Sequence, residues 1–105
     1  MQEPDRRARQ RFPVQLPIIV QNAASGREIR GMTRDISSRG VFFYVDEWPQ
    51  DVAAIECKLL MPAEFSGKKG MRALCPGNVV RVEPEAERTG VAAIFTKRLQ
   101  FLPLK

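Results

Sequence analysis

The chain has 105 residues, 44% of them apolar and 28% charged, which suits one hydrophobic core and excludes disorder over the whole length. No apolar run approaches the roughly 18 residues that span a bilayer, and none of signal-peptide length follows the charged start, so neither membrane insertion nor secretion is expected and a cytoplasmic location is. The net charge is +5 and histidine is absent, which removes the commonest general base and every Ser-His or Cys-His nucleophile and leaves an enzyme the least favoured class.

The positive charge sits early. Up to Arg39 every basic residue is arginine, eight against four acidic residues, whereas the rest of the chain sets nine basic against eight acidic residues. Guanidinium forks onto phosphates, carboxylates and the acceptor edge of guanine and lies flat on rings, so the choice points to an anionic, planar partner. Residues 1–12, which include "RRARQRF" from Arg6 to Phe12, read as a flexible arm. Its like charges repel, and no buried apolar group before Phe12 repays the entropy of ordering. Residues 13–105 read as the folded domain.

Val14 to Gln21 alternates, with Val14, Leu16, Ile18 and Val20 on one face, the period of a strand. Pro17 donates no ladder hydrogen bond and belongs on an open side. "NAASG" turns the chain, and Arg27 to Asp35 forms a second strand with Ile29, Gly31 and Thr33 on one face. After "DISSRG" comes "VFFYV", Val41 to Val45, too short for a helix and rich in sheet-forming residues. "IECKLLM" restores alternation over Ile55, Cys57, Leu59 and Met61. The segment from Met71 to Glu83 makes a fifth strand, in which Pro76 and Gly77 mark a bulge or bend. "VAAIF", Val91 to Phe95, makes the sixth. The tail "TKRLQFLPLK" places Leu99 and Leu102 three apart, which suggests a short C-terminal helical turn that plugs one end.

Six short antiparallel strands in a small chain hide their edges by closing, so the fold class is an all-β barrel. Cys57 and Cys75, with no histidine to complete a metal site, read as two buried thiols, and neither a metal nor a cofactor is expected.

"DISSRG", Asp35 to Gly40, is a tight corner: Ser37 bonds back to the backbone, and Gly40 opens the next strand where a side chain would obstruct. Alone, the pattern is an ordinary strand connection. Preceded by Arg7 and Arg11 in "RARQR", the chain resembles the PilZ domain family, bacterial receptors of cyclic di-GMP whose hallmarks are R-x-x-x-R and D/N-x-S-x-x-G. The late segment "VVRVEPEAERTGVAAIF" is also similar to that family's last two strands. The resemblance implies a six-stranded barrel with the first motif on the arm, the second on the barrel surface, and the ligand between them.

The chemistry of the residues agrees. Guanine offers O6 and N7 to a forked arginine on one edge and N–H donors to a carboxylate on the other, an arrangement adenine lacks. The ligand contacts implied are Arg7 and Arg11 for guanine and phosphate, Asp35 and Ser37 for the second base and the turn, and Gly40 for close approach, with Arg6 and Arg39 as a second tier. Ligand binding would order the arm and signal to a downstream protein. The oligomeric state expected is a monomer or weak dimer.

Two alternatives compete. A PilZ-like adaptor without ligand, serving pili or motility, would usually lack the arginines that this chain keeps. A basic barrel that holds single-stranded nucleic acid needs exposed aromatics in a positive groove. Its candidates are Tyr44 and Trp48, but Trp48 stands beside Asp46, Glu47 and Asp51, which repel a phosphate backbone, and it reads better as a cap on a barrel end.

Overall fold

The computed structural model describes residues 11–61 and 70–103, with side chains as far as Gln100. Its strands are β1 (Phe12–Pro13), β2 (Pro17–Asn22), β3 (Glu28–Ile36), β4 (Gly40–Val45), β5 (Ala54–Met61), β6 (Met71–Pro84), β7 (Thr89–Phe95) and β8 (Gln100–Pro103). Six of them pair antiparallel in the ring β3-β2-β5-β6-β7-β4, which closes where β4 returns to β3. The all-β barrel expected from the alternation is therefore present, and closure gives each of the six strands a neighbour on both sides. β1 pairs β3 and β8 pairs β6 outside the ring.

The inward faces follow the period of two. Ile18 and Val20 of β2, Val41, Phe43 and Val45 of β4, and Ile55, Cys57 and Leu59 of β5 meet Ala73, Cys75, Val91, Ala93 and Phe95 from β6 and β7 in one core. Each large side chain so buried contributes about 1.5 to 3 kcal/mol. Trp48 packs edge-on against Phe43, ring centroids 5.9 Å apart, and so covers core rather than standing free for a base. The start of β2 is tied by Thr33, whose hydroxyl donates to the Val14 carbonyl at 2.6 Å and accepts the Leu16 amide at 2.8 Å.

Two features differ from the sequence expectation. The tail is not a helical turn: Gln100–Pro103 is a strand against Met71–Leu74. β7 leaves β6 at Gly77, so the first residues of β6 would present an open edge on that side, and β8 covers it. Pro76 and Gly77 do not bulge either, but lie in register with Glu56 and Ile55. Gly77 is needed because a Cβ there would stand 2.8 Å from the Ile94 carbonyl oxygen.

The bulges lie elsewhere. On β3 the register shifts between Thr33 and Asp35, and on β6 between Val79 and Arg81, so Arg34 and Val80 are the extra residues. Ile29 and Ile36 both pack on the core although they are an odd number of positions apart, which a regular strand cannot achieve. The bulge at Arg34 switches the faces. Downstream of it Ile36 opposes inward Val41 and Asp35 opposes Phe42. In the same way the bulge at Val80 sets Arg81 opposite Ala92 and Val82 opposite the core residue Val91.

Candidate functional site

The corner between β3 and β4 is built by Ser37 and Gly40 of "DISSRG". Ser37, 3% exposed, accepts the amides of Arg39 and Gly40 on its hydroxyl oxygen at 3.1 and 3.2 Å, while its own amide donates to the Gly40 carbonyl at 2.9 Å. Gly40 packs so closely on β7 that a Cβ would lie 2.4 Å from the Ala93 carbonyl oxygen. The close approach that requires glycine here is thus made by the barrel's own backbone. Arg39 is anchored by its carbonyl, which accepts the Phe95 amide at 2.8 Å.

Asp35 is carried outward by the bulge and is held on both oxygens. Arg11 Nε donates to Oδ1 at 2.5 Å and Arg34 Nε to Oδ2 at 2.7 Å. Burial by itself raises the Asp35 carboxyl, but hydrogen bonds from Arg34 and then Arg11 outweigh it, and the pKa falls below the ordinary value of 3.8. The same hydrogen bond raises the Arg34 guanidinium further above its ordinary range.

Arg34 also lies over the Phe42 ring, with Cζ 3.8 Å from the centroid, a cation–π contact. Phe42 is only 1% exposed although its backbone faces outward, because Arg34 covers it and Gly90 makes room beneath. A Cβ on Gly90 would meet the ring at 2.6 Å. The stack continues along the outer face: Phe42 and Tyr44 meet edge to face at 5.5 Å, and Arg88 caps Tyr44 at 3.6 Å.

These residues border a cleft of about 480 Å³. Arg11, Arg34, Arg39 and Arg81 line it, and Gly40, Phe42, Val80, Ala92 and Ile94 are among the side chains and backbone that supply its apolar part. Arg81 is steadied by an ion pair to Glu83. Both bulged residues, Arg34 and Val80, line this cleft, in keeping with the use of bulges to re-aim side chains beside functional sites. The volume lies within the usual range of small-molecule sites, about 300 to 1,000 Å³.

Of the residues singled out from the sequence, Arg11, Asp35, Ser37, Arg39 and Gly40 come together at this corner. Asp35 stands behind the arginines and Ser37 is consumed in the turn, so the exposed chemistry is mostly cationic. Arg6 and Arg7 lie outside the described residues. From the expected arm, Phe12 pairs with Ile36 in β1. Sequence reasoning missed Arg34, Arg81 and Phe42. Their signal was faint: Arg34 and Arg30 look alike on an exposed face, and only the register shift tells them apart.

Compared with known proteins, the chain matches the family model described as the PilZ domain over residues 5–105. Among solved structures it is similar to the Bacillus subtilis inhibitor of motility MotI/DgrA, with a TM-score of 0.71 and 18% identity over 93% of this chain and 44% of that one. It thus spans less than half the length of that protein's chain. It is also similar to the PilZ domain of CeSA from a cellulose-synthesizing bacterium, with a TM-score of 0.58 and 19% identity over 84% of this chain and 81% of that one. No curated protein sequence matches it.

Proposed function

The chain belongs to the PilZ domain family, and on that premise we propose that it is a receptor for cyclic di-GMP that acts through contact with a partner protein rather than by catalysis. The observation that carries this reading is Asp35 held between Arg11 and Arg34 at a cleft lined by four arginines and partly apolar. A flat, dianionic, guanine-bearing ligand matches each part. The O6 and N7 edge of guanine takes a forked arginine, its N–H edge takes the Asp35 carboxylate, the phosphates take the remaining guanidiniums, and the bases cover Phe42, Ala92 and Ile94.

Binding exchanges partners. A guanine N–H edge replaces Arg11 on Asp35, and Arg11, released, turns to the ligand together with Arg7 and, in the second tier, Arg6. That exchange draws the segment ahead of β1 onto the cleft and creates the surface a partner reads. MotI/DgrA is an inhibitor of motility, and action on a motility or polymer-export component is the kind of output this reading assigns.

Calorimetry tests it. Cyclic di-GMP is expected to bind with about −8 kcal/mol or better, the micromolar range, and cyclic di-AMP not measurably. Arg11→Ala and Asp35→Ala should each weaken binding by about 1.5 to 3 kcal/mol, the scale of a charged hydrogen bond. Arg98→Ala, which borders a different cleft, should change nothing. Failure of the parent protein to bind sinks the function, whereas binding that survives both substitutions sinks only this site. Amide exchange over residues 5–12 should slow in the complex, and unchanged exchange removes the signalling step.

A further inference from the structure

Both cysteines are free, and both lie on the inward face of the longest ladder in the barrel. In the β5–β6 register Cys57 stands directly opposite Cys75, and the two are 1% and 0% exposed within one core cluster. Directly opposed residues of an antiparallel pair have Cα atoms about 4.5 or 5.5 Å apart, depending on ladder position. Both values fall within the roughly 4.4 to 6.8 Å that a disulfide spans. The backbone therefore already supplies the geometry of a bond that the chain does not carry.

Cys75 has no exposed area of its own but lies beneath the surface, so a peroxide reaches it through local opening of the bend above it. Cys75 borders a second cleft of about 540 Å³ with Glu56, Lys97, Arg98, Leu99 and Gln100. Its thiol donates to the Lys97 carbonyl at 2.8 Å, and next to it the Thr96 amide donates to the Pro76 carbonyl at 2.9 Å. Together they tie the bend between β7 and β8 to the barrel.

We propose that Cys57 and Cys75 form an oxidation site, at which a hydroperoxide converts the opposed thiols into a cross-strand disulfide and unties the β7–β8 bend. In the first step Cys75 attacks the peroxide oxygen. The O–O bond breaks, the terminal OH is transferred to sulfur to give sulfenic acid, and the other oxygen takes the Cys75 proton and leaves as water or, for an organic peroxide, as alcohol. In the second step the Cys57 sulfur attacks the sulfenic sulfur, the S–S bond forms, and the hydroxyl departs with the Cys57 proton as water. The disulfide has no S–H, so the Lys97 carbonyl loses its donor. Burial, with Cys75 and Glu56 adding to it, pushes the Cys57 thiol up to about 12, and burial raises Cys75 as well. Thiolate is therefore scarce near neutrality and the reaction is slow.

The test uses the intact folded protein, incubated with hydrogen peroxide, unfolded in an excess of a thiol-alkylating reagent, and weighed. The expected product is monomeric, lighter than the parent by two hydrogens and closed to alkylation, and it returns to two alkylatable thiols after reduction. In the oxidised protein the amides of Lys97 to Gln100 should exchange about tenfold faster, the equilibrium equivalent of one lost hydrogen bond. Cys57→Ser should divert Cys75 to sulfenic and higher acids without loss of two hydrogens. A parent protein that keeps two alkylatable thiols, or gains oxygen without forming the bond, overturns the site. A disulfide that leaves exchange over Lys97 to Gln100 unchanged overturns the coupling to the bend.

Discussion

The corner where β3 meets β4 and the wall made by β5 and β6 use the same antiparallel ladder but are filled in opposite ways. Among the described residues the buried polar side chains are Thr33, Asp35 and Ser37, all on β3 or its exit. The wall buries Ile55, Cys57, Leu59, Ala73 and Cys75, with neither a charged side chain nor a hydroxyl among them. Burying a polar group costs free energy unless it is hydrogen-bonded, and each of the three is: Thr33 to Val14 and Leu16, Asp35 to Arg11 and Arg34, Ser37 to Arg39 and Gly40. Stability is invested in the wall. The corner uses its bonds to set a shape and to hold charge at the cleft, opposite a wall whose buried side chains are all apolar.

The sharpest way to break that contrast is at the wall. Leu59→Ala should cost about 2 to 5 kcal/mol in denaturant unfolding, the range for a large buried aliphatic, while leaving the ligand affinity of the folded fraction unchanged. A loss below about 1 kcal/mol would show that the wall is not the anchor. At the corner, Thr33→Val keeps the shape but strands the Leu16 amide and the Val14 carbonyl, at an expected cost of about 1 to 3 kcal/mol. A neutral result would mean that these groups find other partners.

Arg34→Lys keeps the charge but loses the flat surface over Phe42. Unfolding should shift by less than about 1 kcal/mol, since the side chain is half exposed, while cyclic di-GMP affinity falls by about 1 to 2 kcal/mol, a charged hydrogen bond and a stacking face together. Equal losses in stability and affinity would make Arg34 merely structural.

The smallest effect expected is in the acid limb. The folded pKa of Asp35 lies below its ordinary value of 3.8, so its ion pairs stabilise the fold above that value and the contribution is lost only as pH falls through the folded pKa. An NMR titration of the Asp35 carboxyl should therefore have its midpoint below 3.8, moving up in Arg34→Ala. A parent midpoint at or above 3.8 contradicts the double clamp.

Much of this was legible in the amino-acid sequence. The alternation at Ile18 and Val20 and at Ile55, Cys57 and Leu59 marks inward faces that reach the core, because a period of two is a local property of a pleated chain. "DISSRG" named its own corner, since a serine accepting the amides two and three residues ahead and a glycine with no room for a Cβ are short-range requirements. The tail was misread, because Leu99 and Leu102 at a helical spacing say nothing of the uncovered edge of β6 that takes Gln100–Pro103 as a strand.

By itself, then, the sequence determined which faces of β2 and β5 turn inward, where the chain turns between strands, and that arginines gather ahead of an Asp-x-Ser-x-x-Gly corner. Tertiary structure alone decided that Arg34 and Val80 bulge, that Asp35 and Arg81 thereby face outward, that a guanidinium lies on Phe42, and that Cys57 meets Cys75. The reason is register: which residue of one strand faces which of another depends on how the entire core fills, and no window of neighbouring residues contains that information.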